Sequence, residues 1–233
     1  MEVAVQSLKK GKSARIDNIP AELVQAGEED VITALKTICN NIWQTEEWPT
    51  PWTQSLVITL HKKGNLQQCQ NYRMISLISH PSKVMLKIIV NSLKPQAERI
   101  ISDEQADFSA GWSTTEQISN LRILCKKYLQ HQQDLYRVFI DSKKAFDKVW
   151  HTTLWATMKK YISANLIRVI KNLYDKATSA VFFNSSITVG VRQGRLLSPI
   201  LFNIFLGRIM TDALEDHEHC QHWRQNNHQS PLC

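Results

Sequence analysis

Apolar side chains at Val31, Ile32, Leu35, Ile38, Ile42 and Trp43 fall on one stripe at helical spacing. That pattern predicts a helix over residues 22–46, with an irregularity near Gly27. Residues 55–60 are a short apolar run that predicts a strand, followed by the basic turn His61-Lys62-Lys63-Gly64. Val84, Met85, Ile88, Ile89 and Leu93 mark a second helix, expected to end near Pro95 because proline cannot donate to the helical ladder. Ser113-Thr114-Thr115-Glu116 has the form of a capping box, opening a helix with Ile118, Leu121, Leu124, Cys125 and Tyr128 on its face. Residues 135–141 read as a strand that delivers Asp141 to its end. Beyond it, residues 154–177 predict a helix in two pieces, 180–184 a strand and 199–214 a long apolar helix. Each stripe is read as packing. Helix and strand are mixed, without internal repeats.

Composition narrows the class without naming a function. The chain has 233 residues, 43% hydrophobic and 21% charged, as a globular protein of one domain or two small ones would. Its net charge of +7 suits a polyanionic partner without requiring one. Five cysteines, odd in number and irregularly spaced, indicate no disulfide framework. The first residues hold no apolar signal region and no stretch reaches membrane-spanning length. The expectation is an intracellular, soluble protein, neither secreted nor membrane-bound.

The chemistry concentrates at Val138-Phe139-Ile140-Asp141-Ser142-Lys143-Lys144-Ala145-Phe146-Asp147. Divalent cations held against phosphates need carboxylates on rigid supports, because hard cations take oxygen ligands in tight geometry. This stretch resembles the first catalytic motif of reverse transcriptases, in the form carried by retrotransposons without long terminal repeats (non-LTR, LINE-like). Other segments carry the same resemblance in the family's order. Residues 12–20 are similar to its opening motif, with Arg15 where glycine is usual. Lys62-Lys63-Gly64 and Asn71-Tyr72-Arg73-Met74-Ile75-Ser76-Leu77 resemble the two fingers motifs. Residues 104–114 resemble a further one, with Asp107, Ser109 and Trp112 in place of a glycine and two arginines. Gly190-Val191-Arg192-Gln193-Gly194-Arg195-Leu196-Leu197-Ser198-Pro199 resembles the palm motif beneath the template, with Arg195 where a small residue is usual.

The resemblance implies an α+β fold, with reverse-transcriptase fingers over 1–134 and a partial palm over 135–216, lacking the catalytic Ala-Asp-Asp hairpin and the thumb. It implies Asp141 as catalytic metal ligand, assisted by the Ile140 carbonyl, with Mg²⁺ as the cofactor. Lys62, Lys63 and Arg73 would grip the triphosphate of the incoming nucleotide, since arginine offers a planar fork and lysine a mobile charge. Phe146 matches the position that screens the sugar's 2′ side, and Gln193 and Gly194 match the floor under the nascent base pair. Asp147 is read as structural or as a helix cap. The implied partners are an RNA template, a DNA primer and a deoxynucleoside triphosphate. Two-metal nucleotidyl transfer needs carboxylates on both sides of the metal pair. The 233 residues contain no consecutive aspartates, so the chain is expected to be a truncated, degenerate copy, inactive alone. The alternatives are a non-catalytic nucleic-acid binder, an unselected pseudogene product, or an enzyme completed by a partner chain.

Residues 217–233 read differently. His219, Cys220, His222 and His228 invite a zinc reading, but their spacing fits no ordinary structural zinc site. Relatives continue here with a stretch ending in Phe-Ala-Asp. Suitable codons for that stretch, read one base earlier, yield residues 219–233 and then a stop. The tail is therefore expected to be an out-of-frame translation, and zinc is not expected.

Overall fold

A computed structural model describes residues 1–12, 17–101, 105–106, 113–142, 145–180, 184–186 and 196–215. After the short α1 (Glu2–Gln6), the first long helical pattern is broken at Gly27 into α2 (Ala21–Ala26) and α3 (Glu28–Thr45). A Cβ on Gly27 would lie 2.1 Å from Val31 Cγ2, so glycine permits this close junction. α3 stops at Glu46, which takes the left-handed conformation (φ 61°) and donates its N–H to the Ile42 carbonyl at 2.9 Å. A non-glycine residue held there needs support from its surroundings. Glu46 receives it from α8 (Ala164–Asp175), through an ion pair with Arg168 and a 3.0 Å bond from Asn172 Nδ2 to its carbonyl.

The turn α4 (Thr50–Thr53) feeds directly into β1 (Gln54–His61), which forms an antiparallel pair with β2 (Tyr72–Leu77), from Leu56 opposite Leu77 to His61 opposite Tyr72. On its other edge β1 runs parallel to β3 (Thr178–Ala180), which pairs antiparallel with β4 (Asn184–Ser186). Among the described residues the sheet order is β2-β1-β3-β4. Ser55 Oγ and Ser179 Oγ approach to 3.3 Å inside the parallel pair.

The central helix is α5 (His80–Ala97). Its N-cap Ser79 accepts from the Ser82 N–H at 3.2 Å, and Val84, Met85, Leu86, Ile89 and Leu93 are buried. As expected, α5 ends near Pro95, which stands in its last turn, two residues before Ala97. α7 (His151–Met158), α8 and α9 (Ser198–Glu215) complete the packing, and α9 meets both α7 and α5. One hydrophobic cluster joins Val5, Ile42, Trp52, Leu93, Leu154, Ile170 and Leu201. Residues on either side of position 134 thus share a core. No helix among the described residues is long and apolar enough to cross a membrane.

α6 (Thr114–Gln130) departs from this pattern. Its capping box is complete: Ser113 N–H donates to Glu116 Oε2 at 2.6 Å, and Glu116 N–H to Ser113 Oγ at 3.3 Å. Yet α6 buries no side chain. Residues 133–142, which follow it, have no regular structure, so the strand expected at 135–141 is not formed. A strand is stable only through its neighbours, and no described strand pairs with this segment. The strand expected at 180–184 is met in part by β3, which starts two residues earlier, while 181–183 lie outside the described residues.

Candidate active site

The β1–β2 hairpin brings together three of the cations singled out in the sequence. Lys62 and Lys63 occupy its tip, and the pairing of β1 with β2 sets Arg73 opposite Leu60. Directly opposed residues of an antiparallel pair share a face. Arg73 therefore stands on the side of the partly exposed Leu56, Ile58 and Leu60. The tip is well braced. Lys62 N–H donates to the Asn71 carbonyl at 2.8 Å, Asn71 Nδ2 to the Asn65 carbonyl at 2.9 Å, and Tyr72 Oη to the Leu66 carbonyl at 2.8 Å. Gly64 takes φ +94°, and a Cβ there would meet Asn71 Nδ2 at 2.9 Å. Lys62, Lys63 and Arg73 are exposed, and none makes a side-chain hydrogen bond or ion pair among the described residues. Such cations are available to phosphate oxygens.

Asp141 is exposed at the end of the irregular segment 133–142, and the Ile140 side chain beside it is 80% exposed. No group of three His, Cys, Asp or Glu side chains that could hold a metal occurs among the described residues. Phe146 lies in a 3₁₀ turn (Ala145–Lys148), half-buried, with its ring 4.8 Å from that of Phe202 on α9. Asp147, in the same turn, is not a helix cap: α7 begins after Trp150, without a side-chain cap. Gln193, Gly194 and Arg195 lie outside the described residues, as do Arg15, Ser109, Trp112 and the whole of 217–233.

The structure also holds a cavity that sequence reasoning missed. About 500 Å³ in volume, it opens between α7 and α9 and is lined by Thr152, Thr153, Thr157, Lys160, Tyr161 and Arg208 among others. Arg208 is paired with Asp212 at 2.6 Å, one turn along α9. That i, i+4 spacing was the one local signal available, and it points to a solvated helix face.

Two titratable groups elsewhere are displaced. The Glu22 carboxyl is held below its ordinary value by the Gly11 N–H, 2.5 Å from Oε1. Burial pushes the Cys39 thiol up to about 11.

The motif order, the cationic hairpin and the lone carboxylate define a polymerase-like segment, and comparison with known proteins gives its family. Residues 60–226 match the profile of the reverse transcriptase (RNA-dependent DNA polymerase) family, and the chain belongs to that family. It is 32% identical over 211 residues to the "Probable RNA-directed DNA polymerase from transposon BS" of Drosophila melanogaster, covering 87% of this chain and 23% of that protein. It is 27% identical over 192 residues to the RNA-directed DNA polymerase from mobile element jockey of the same fly, covering 78% and 21%. A 149 kDa transposon TX1 protein of Xenopus laevis is 26% identical over 208 residues, covering 86% and 16%. The chain thus corresponds to a segment of a non-LTR retrotransposon reverse transcriptase, and spans under a quarter of the length of these relatives.

Proposed function

We propose that these 233 residues are the fingers and a partial palm of an RNA-directed DNA polymerase, and that alone they do not polymerise. The observation that carries this reading is the solitary Asp141, exposed and outside any three-residue group of metal-binding side chains among the described residues. The family resemblance implies Mg²⁺. Protein-bound Mg²⁺ takes one or two carboxylates plus substrate phosphates, and a second metal needs ligands of its own. Asp141 by itself does not supply the ligands of a two-metal site. The residues present therefore support binding of a phosphate-bearing partner, and no metal-dependent step is assigned to them.

The test is primer extension on an RNA template with Mg²⁺ or Mn²⁺, run beside Asp141→Ala. The expected result is no extension above that variant's background. Extension that Asp141→Ala abolishes would overturn the reading and show that the palm is completed.

A second reading, residual nucleic-acid binding, is favoured by the three uncommitted cations on the hairpin. RNA template and DNA primer are its proposed partners. Affinity should fall steeply with salt, and each of Lys62→Ala, Lys63→Ala and Arg73→Ala should flatten the log–log salt slope on a single strand by about 0.7. Unchanged slopes would remove the hairpin from the interface. The out-of-frame reading of the tail is tested by the gene's own nucleotides around codons 219–233.

A further inference from the structure

The cavity between α7 and α9 has no part in the polymerase chemistry described so far. None of Asp141, Lys62, Lys63 and Arg73 lines it. On α9 its lining runs from Gly207 to Asp212, beyond Phe202, whose ring packs on Phe146. At a rise of about 1.5 Å per residue, those positions lie roughly 7–15 Å further along the helix. Ala156 on α7 and Gly207 on α9 are small and leave room between the two helices.

The lining divides into donors and acceptors. Lys160, Thr152, Thr153 and Tyr161 make no side-chain hydrogen bond or ion pair among the described residues. Arg208 commits Nε–H and one Nη2–H to the two carboxylate oxygens of Asp212, at 2.9 and 2.6 Å. A guanidinium carries five N–H donors, so three of them remain, and the bidentate pair fixes the plane of the fork. Thr157 and Thr211 differ. Their hydroxyls already donate to the Thr153 and Gly207 carbonyls, each at 2.9 Å, and offer lone pairs alone. Two cations and three free hydroxyls thus share one cavity with two hydroxyl acceptors.

We propose that this cavity binds a nucleotide by its terminal phosphate monoester. Lys160 and Arg208 take the phosphate oxygens, one as a mobile charge and the other as an oriented fork. The Thr157 and Thr211 oxygens accept from sugar hydroxyls, and Tyr161, 50% exposed at the rim, stacks on the base. Other guests match less well. A free cation meets two like charges, and an apolar molecule would leave the hydroxyls without partners. The volume of about 500 Å³ suits a small molecule, whose sites span about 300–1,000 Å³.

Isothermal titration calorimetry of the whole chain with adenosine 5′-monophosphate, run beside adenosine, tests this. The nucleotide should bind saturably and adenosine at least about tenfold more weakly, for want of the charge-assisted bonds. Lys160→Ala should weaken nucleotide binding about tenfold, and Ala156→Leu should abolish it by filling the space. Both positions are exposed, so the urea transition should not move. A free nucleotide and the 5′-phosphorylated end of a strand present the same group. If the strand end is the source, a 5′-phosphorylated oligonucleotide binds more tightly than its 5′-hydroxyl form and loses that advantage in Lys160→Ala. If the free nucleotide is the source, the two oligonucleotides bind alike. Equal binding of adenosine and its monophosphate, or no saturable binding of either, would overturn the proposal. So would nucleotide binding that Lys62→Ala/Lys63→Ala removes and Lys160→Ala leaves intact.

Discussion

α5 and α6 are near twins on paper, with 18 and 17 residues, apolar stripes at helical spacing and side-chain N-caps that work. In the folded chain they have opposite fates. α5 is wrapped by α1, α2 and α9 and buries Val84 through Ala97 along one side, whereas α6 buries nothing. The difference teaches that an amphipathic pattern specifies a helix but not its partner. Helical stability in proteins comes mostly from tertiary packing of the apolar face. α6 relies instead on its capping box and its own ladder, and the segment after it lacks the pairing that would make it a strand.

Paired truncations should separate the two helices most sharply. Leu93→Ala removes a fully buried side chain and should cost about 2–5 kcal/mol in urea unfolding, while Leu129→Ala should stay within about 0.5 kcal/mol. Equal losses would mean that α6 is covered in solution. Trp48→Phe should come next. It deletes the indole N–H that donates to the Val169 carbonyl at 2.9 Å in the core, at a cost of about 0.5–1.5 kcal/mol for the lost hydrogen bond. Ser113→Ala should cost α6 about 1 kcal/mol. Because α6 stands apart from the core, that loss should appear as faster amide exchange confined to residues 114–130, not as a shift of the global transition.

The smallest effect is a pH dependence on the α3 side. Cys39 holds its proton up to about 11 against an ordinary 9.0, because burial disfavours the thiolate. Its contribution to stability is complete below pH 9.0, where folded and unfolded chains both keep the proton. It is lost as pH rises towards 11, where the unfolded chain ionises first. Cys39→Ala should abolish that part of the alkaline loss. At neutral pH a thiol reagent should label exposed Cys69 well before Cys39.

Local rules that involve neighbours in sequence were legible. The break at Gly27, the α5 stripe and the α6 capping box all follow from spacings of a few residues, whereas β2 and its pairing with β1 across residues 62–71 were not foreseen. Where the deciding partner is remote, the sequence is mute. Periodicity puts Trp43 on the inner face of α3, yet Trp43 is 37% exposed. Trp48, five residues on, is buried instead, laid against α8 after the chain turns at Glu46. Residues 135–141 have the composition of a strand and no ladder, since β structure is made by the neighbour and not by the segment. The carboxylate at 141 was easy to find for the same reason that its setting was not: chemistry is written in one residue, geometry in several.

The parallel seam between β1 and β3 also sets a timetable. Ser55 waits for Ser179, 124 residues downstream; Trp48 waits 121 residues for Val169, and Glu46 waits 122 for Arg168. The β1–β2 hairpin, by contrast, can close as soon as Leu77 is made. At translation speeds of about 5–20 residues per second, the β3-facing edge of β1 stays bare for roughly 6–25 s on the ribosome. Throughout that interval the nascent hairpin offers an open row of amides to whatever lies nearby, and chaperones that shield such edges have their whole opportunity before codon 180 is read.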